Sequence, residues 1–310
     1  MNYLVRTFAK KIGGALARFA AHETFDWESP NSILAAQALM ASASWREAVP
    51  PLRLVQKEFR VFSQWGDDGI IQYLVYCLQL KSDSFIEFGV ADFYESNTHF
   101  LLVNNNWRGL VIDASLDNIQ SVKNSSLYWR YDLQAITSFV TAENINQLLS
   151  IAGFGKIGLL HIDLDGNDYW VLKSLDLSIY QPDILILEYN SHFGAERVIS
   201  VPYNPQFYRI NSHHSGQFFG ASLPALNLAA EEKGYYFIGC NSAGNNAYFL
   251  RKCFQSIIPP ITVKEGFVAA RFRDARDEQG HLLYSSRESA QRSIRGMLVE
   301  NVINGEIEPF

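Results

Sequence analysis

Residues 83–115 read DSFIEFGVADFYESNTHFLLVNNNWRGLVIDAS, and the architecture of the rest of the chain follows from them. Phe85 to Val90 is an apolar run of strand length that carries an acid at Glu87 and a glycine at Gly89, then breaks into a polar turn. Ser96 or Asn97 can cap the helix expected over about Thr98 to Asn104. A second apolar run, Leu110 to Ile112, stops on Asp113. Strand, glycine turn, helix, strand and acid is the order in which a doubly wound sheet builds a nucleoside site. The turn lets the backbone approach the ligand, and the acid accepts hydrogen bonds from two ribose hydroxyls.

The same alternation extends in both directions. Upstream, Gly66 to Gly69 opens a helix whose buried side is Ile70, Ile71, Leu74, Val75 and Leu78, with Gln64, Asp67 and Asp68 at its start, where unpaired amides favour carboxylates. The two aspartates serve either as caps or as ligand contacts. Downstream the pattern predicts a helix over Leu116 to Lys123, a short strand over Tyr128 to Tyr131 ending at Asp132, and helical spacing from Ala142 to Ile151. Buried strands follow at Ile157 to Ile162 and Asp183 to Leu187, the first ending in IDLDGNDYW and the second in EYN. Residues 191–221 read as a long loop rich in aromatics and histidine, Leu223 to Lys233 as a helix, and Tyr235 to Cys240 with Ala247 to Arg251 as a hairpin joined by NSAGNN. This is an α/β chain with a parallel sheet and helices on both faces.

With 310 residues and 48% hydrophobic residues the chain can bury a large core. A net charge of -6 argues against a dedicated nucleic-acid binder. Cys77, Cys240 and Cys253 are odd in number and widely spaced, which points to a reducing compartment, the cytoplasm. Residues 1–21 have the spacing of an amphipathic helix, with Leu4, Val5, Phe8, Ile12, Leu16 and Phe19 on one face and Arg6, Lys10, Lys11 and Arg18 off it. Such a helix either lies peripherally on an anionic membrane or docks on its own domain or a second subunit. Three regions result: an amphipathic helix and lid or linker over 1–59, a catalytic domain over 60–255, and a segment over 256–310, read as a solvated helix and a short terminal strand, that caps the site or makes an oligomer contact.

SQWGDDGI, FIEFGV with ESNT, VIDAS, HIDLDGNDYW, LEYN and the hairpin around AGNNAYFL together resemble the seven-stranded, Rossmann-like fold of S-adenosylmethionine-dependent methyltransferases. Within that class the chain is similar to the FkbM-type and related sugar O-methyltransferases. The resemblance spans about residues 60–252 and implies a cofactor set of Gln64, Glu87, Gly89, Asn97, Asp113, Ala114 and Asp132. Glu87 and Gly89 would lie beside the methionine part, Asp113 would hold the ribose, and Asp132 would approach the adenine amino group. Only Gly89 stands where many methyltransferases carry several glycines, which counts against a nicotinamide oxidoreductase.

Methyl transfer to a hydroxyl requires the acceptor to be positioned and made nucleophilic, and a divalent cation lowers the pKa of an oxygen it coordinates. Hard cations take several oxygen ligands. Asp163 and Asp165 at the fourth strand tip, with Glu188 and Asn190 at the fifth, offer four oxygen-bearing side chains, and the resemblance supports a magnesium-type site of Asp163, Glu188 and Asn190 with Asp165 as a fourth candidate. Asp165 has a competing role as a helix cap, and Glu188 as a partner of a loop amide. His214, and after it His192, are the expected general bases, while His161 reads as a core residue. The expected activity is O-methylation of a sugar hydroxyl on a glycan or glycosylated metabolite. The alternative is a non-catalytic scaffold of the same fold at a membrane surface.

Overall fold

The computed structural model describes residues 53–310. The helix expected over residues 1–21, and the lid or linker as far as residue 52, lie outside the described residues.

Five short apolar runs become parallel strands: β1 (Ser84–Phe88), β2 (Arg108–Asp113), β3 (Leu133–Thr137), β4 (Leu159–Ile162) and β5 (Ile184–Glu188). β6 (Ile199–Ser200) leaves this sheet, and β7 (Tyr235–Cys240) and β8 (Asn246–Arg251) return to it as the expected hairpin. The order is β3-β2-β1-β4-β5-β8-β7, with β8 antiparallel to both neighbours and β7 on the edge. This is the seven-stranded, mostly parallel sheet that the resemblance implies, and its strands read as nearly unbroken hydrophobic runs because both faces are covered.

One face packs on the helices Ile145–Ile151, Asp168–Ser174 and Leu223–Glu232, and the other on Asp67–Leu78, His99–Asn105 and Leu116–Asn124. Side chains alternate between faces along a strand. Phe85, Leu159, Ile184 and Leu250 therefore share the second face, and Phe85 is seated directly on Gly109, its register partner in β2, where a Cβ would fall 2.2 Å from the ring. Burying that ring is worth about 2 to 3 kcal/mol. Followed toward the strand tips, the same face turns polar, at Glu87, His161, Glu188 and Asn246.

Three expectations are corrected. Tyr128 to Tyr131 has the aromatic content of a strand but lies in and after the helix Ser126–Arg130, which closes with Tyr131 N donating to Leu127 O at 3.0 Å. The third strand comes later, so Asp132 stands at its beginning. Its carbonyl accepts from Gly109 N at 2.9 Å, at the end of the sheet opposite Asp113. Residues 191–221 are not one loop: they hold a 3-10 turn at Ser191–Phe193, β6, and the short helix Arg209–Ser212. The chain end holds a hairpin, β9 (Leu298–Asn301) and β10 (Glu306–Pro309), which pairs through β9 with β6 in a second, antiparallel sheet. The helix there is Arg287–Ser293. Among the described residues no helix is long and apolar enough to cross a membrane.

At the tip of β1, Gly89 has φ +77° and an added Cβ would lie 1.7 Å from the Asp163 carbonyl oxygen. Gly89→Ala is expected to lower unfolding stability by roughly 2 to 4 kcal/mol, left-handed strain and overpacking combined. Urea denaturation checks this, and a variant within about 0.5 kcal/mol of the parent would show that β1 and β4 separate freely at their tips.

Candidate active site

Two cavities open side by side at the carboxyl ends of the parallel strands, where open α/β sheets bind ligands. The first, of about 560 Å³, lies over β1, β4, β5 and the β7–β8 turn; the second, of about 520 Å³, lies over β2, β3 and β4. Gly89, Ala91, Asp163, Asp165, Arg209 and Asp274 line both, so the tip of β4 is their common wall.

Glu87 closes the floor of the first cavity. Its carboxylate accepts from the backbone nitrogens of Asn97 and Thr98, each at 3.1 Å, and from the Ser96 and Thr98 hydroxyls, and His161 Nδ1 lies 2.8 Å from it. His161 is the register partner of Glu87 in β4, which brings the two onto one face. Burial raises the Glu87 pKa, yet the hydrogen bond and charge of His161 with the two hydroxyls outweigh it, and the group ends below the ordinary range. The same pair overcomes burial at His161 and raises its pKa. The result is an internal ion pair that fixes the loop carrying Asn97, whose Nδ2 lies 3.4 Å from His161 Nε2. Gln64 is exposed on the rim of this cavity.

Asp113 and Ala114 line the second cavity with Ser138, Phe139 and Asn167. Asp113 Oδ2 accepts from Ala91 N at 2.8 Å, and Oδ1 from Ser115 N at 2.8 Å and Asn118 Nδ2 at 3.0 Å. The carboxylate thereby ties the loop after β1 to the tip of β2. Asn167 gives its Nδ2 to Asn204 O, which leaves its buried Oδ1 without a partner. Asp132 is absent from this cavity because it stands before β3, at the opposite end of the sheet.

Between the cavities, Asp163, Asp165 and Glu188 bring carboxylate oxygens within 4.8 Å of one another. Burial first, and then the charge of Asp165, push Asp163 up to about 7. Burial, followed by Asp163 and Asp165, lifts Glu188 well above its usual range, and its Oε2 has no partner. Asp165, in the left-handed region at φ +53°, does not cap the following helix: Asp168 does that work for the turn, accepting from Leu164 N at 2.8 Å and Gly166 N at 3.0 Å. Asp165 instead pairs with Arg209 Nη1 at 2.6 Å. Arg209 also binds Asp274 and the Gly216 carbonyl, and lies 3.9 Å from the centroid of Phe219.

Asn190 is placed elsewhere. Its Nδ2 donates to Gln217 O at 2.9 Å and Phe219 O at 3.0 Å, and its Oδ1 accepts from His192 N at 2.9 Å, so the amide closes the loop after β5 and does not join the three acids. The two histidines expected as bases do not line either cavity. His214 is exposed against His213 with ring centroids 4.3 Å apart, and His192 is buried behind the loop, where desolvation lowers its pKa. Arg209, Asp274 and Phe272 are site residues that the motifs do not indicate, because they come from segments with no periodicity to read, and Trp65 is a site residue inside SQWGDDGI to which the motif gives no role. Asn246 had a usable signal: it is the last residue of NSAGNN and the first of the strand that the hairpin returns to the sheet.

The family model for the Methyltransferase FkbM domain matches residues 58–222, which include both cavities' strand tips from β1 to β5. No curated protein matches the chain. Among solved structures, the chain is similar to the O-methyltransferase from Bacillus cereus in complex with SAH, at 15% identity and a TM-score of 0.39, over 76% of this chain and 96% of that one. It is likewise similar to a putative caffeoyl-CoA O-methyltransferase from Staphylococcus aureus, at 13% identity and a TM-score of 0.40, over 77% and 98%. Magnesium protoporphyrin IX methyltransferase from Synechocystis PCC 6803 with bound SAM aligns at 13% identity and a TM-score of 0.39, over 74% and 100%. With more than half of its length matched by the family model, the chain belongs to the FkbM family of S-adenosylmethionine-dependent methyltransferases.

Proposed function

We propose that the chain is a cation-assisted O-methyltransferase that acts on a sugar hydroxyl of a glycan or glycosylated metabolite. The observation that carries this reading is the group Asp163, Asp165 and Glu188 at the wall shared by the two cavities. A methyl donor on one side and an alcohol on the other meet there.

The residues of the second cavity fit an adenosyl group. Asp113 presents a carboxylate at the tip of β2, Gly89 keeps the neighbouring backbone free of a side chain, and the free Oδ1 of Asn167 suits an amino group. Glu87 holds the loop of Asn97 in place beside the methionine end. The three acids fit a magnesium-type ion by donor chemistry, since they are hard oxygen ligands and one buried oxygen of Glu188 lacks any partner. Such an ion, when bound, supplies a positive charge that stabilises a developing alkoxide. The chain's own contributions are orientation of the acceptor, exclusion of water, and a base. With no ion bound, Asp163 is the base that the geometry offers, because it lines both cavities and its pKa is raised to about 7.

S-adenosylhomocysteine at about 100 times its dissociation constant is expected to stabilise the chain by about 2.7 kcal/mol, and Asp113→Ala to abolish that shift. Thermal melts with and without the ligand check it, and an unshifted parent would sink the reading. Asp163 also sets a pH dependence. Its folded pKa lies above the unfolded value, so its contribution to stability is complete below about pH 4 and is lost as pH rises through about 7. Asp163→Asn, which carries no such titration, should therefore gain on the parent between those limits, by about 1 kcal/mol for each pH step of one. Melts from pH 4 to 8 test this, and a constant difference would contradict it. Magnesium added at pH 8 should stabilise the parent and leave Asp163→Asn unchanged, a comparison to be made by the same melts.

A further inference from the structure

Glu188 and Asn246 are direct register partners across the antiparallel pair β5–β8. Opposed residues of this kind lie on one sheet face with Cβ atoms about 4.5 to 5.5 Å apart. Both line the first cavity, both are more than nine-tenths buried, and each carries an oxygen without a partner, Oε2 of Glu188 and Oδ1 of Asn246. The orientation of the Asn246 amide is set from behind: its Nδ2 donates to Asp67 Oδ1 at 3.1 Å, which turns the carbonyl away from that carboxylate. Asp67 is itself wholly buried and also accepts from Asn241 Nδ2 and the Tyr248 hydroxyl, so a flipped amide would set its carbonyl oxygen against a buried carboxylate. Across the same cavity Trp65 stacks on Phe272, with centroids 5.6 Å apart and planes at 24°, and the Trp65 Nε1 donor is buried without a partner. A buried donor or acceptor left unmet costs about 1 to 3 kcal/mol, so three such residues around one opening describe the ligand that would satisfy them.

We propose that Glu188 and Asn246 form a two-point reader for adjacent hydroxyls of the acceptor, with Trp65 and Phe272 as the wall against which its ring lies. One hydroxyl is held at Glu188 beside Asp163 and is the one that reacts. Its neighbour donates to Asn246 Oδ1, and a further ring or hydroxyl oxygen accepts from Trp65 Nε1. The acceptor is thus a vicinal diol on a ring with an apolar face, which is the chemistry of a pyranose, and a lone alcohol leaves Asn246 unmet. This inference rests on reading the first cavity as the acceptor side of a methyltransferase.

The test uses the full chain saturated with S-adenosylhomocysteine and saturation-transfer NMR with methyl glycosides of mannose, galactose, glucose and rhamnose, each beside its monodeoxy counterparts. At least one glycoside is expected to bind, and loss of one of two adjacent hydroxyls to weaken it roughly tenfold. Asn246→Ala should bring the glycoside and its deoxy counterpart to within about twofold of each other. Trp65→Phe, which keeps the ring wall and removes only the donor, should weaken the parent glycoside while preserving its preference over the deoxy sugar, and it decides the matter if Asn246→Ala fails to fold. Absence of binding across the panel, equal binding of deoxy sugars, or a preference that survives Asn246→Ala would overturn the reader. Calorimetry with S-adenosylhomocysteine separates the two levels: a parent that fails to bind it refutes the methyltransferase reading itself, whereas a parent that binds it and ignores every diol refutes only the reader.

Discussion

Repulsion among carboxylates at the strand tips is the constraint that the rest of the site answers. Two like charges about 5 Å apart repel by about 3 kcal/mol at an effective dielectric constant near 20, several times the worth of a surface ion pair. Glu87, Asp163, Asp165 and Glu188 share one cavity, so their charges cannot stand together without compensation. Two of them are compensated by the fold, Glu87 by His161 from the adjacent strand and Asp165 by Arg209 from the segment after β6. Asp163 and Glu188 are compensated less: burial and then the charge of Asp165 raise the pKa of Asp163, and burial with the charges of Asp163 and Asp165 raises that of Glu188. A proton shared between them, or a bound cation, would complete the balance.

Behind the acids stands a shell of carboxylates that hold loops and neighbouring side chains in place. Asp168 gathers the turn after β4, and Asp68 accepts from Val61, Phe62 and Ser63 nitrogens at 2.7, 2.7 and 2.9 Å, which shapes the approach to Trp65. Burial pushes Asp68 up to about 6 against those hydrogen bonds. Asp67 plays the corresponding part for the β7–β8 turn. The acids at the start of the helix Asp67–Leu78 thus act neither as simple caps nor as ligand contacts. They carry the order of the sheet outward to the loops that surround the cavities.

The C-terminal segment is joined to this arrangement through several independent contacts. Tyr189 donates its hydroxyl to Val268 O at 2.5 Å, Arg271 N donates to Ala243 O at 3.1 Å, and a Cβ at Gly244 would lie 2.6 Å from the Ala269 backbone. Phe272, Arg273 and Asp274 then reach the first cavity. The cavity wall is in this way built from parts of the chain more than 200 residues apart, such as Trp65 and Phe272.

By itself the sequence determined the parallel sheet, the acids at its tips and the single glycine of the first turn, because hydrophobic period and strand-end chemistry are local properties. Asp113, Asp163, Glu188 and the Glu87–Gly89 pair are legible for that reason. It misled at Asp132, where aromatic residues with strand propensity were taken into a helix by their i to i−4 hydrogen bonds and moved the strand downstream. It misled also at Asn190, His192 and His214, since residue type cannot say whether a side chain turns to a cavity or to the backbone of its own loop. Only the tertiary structure decided which cation meets Asp165, that His161 neutralises Glu87, and that Asn246 stands opposite Glu188. These are matters of register and of distant segments coming together, and no period along the chain encodes them.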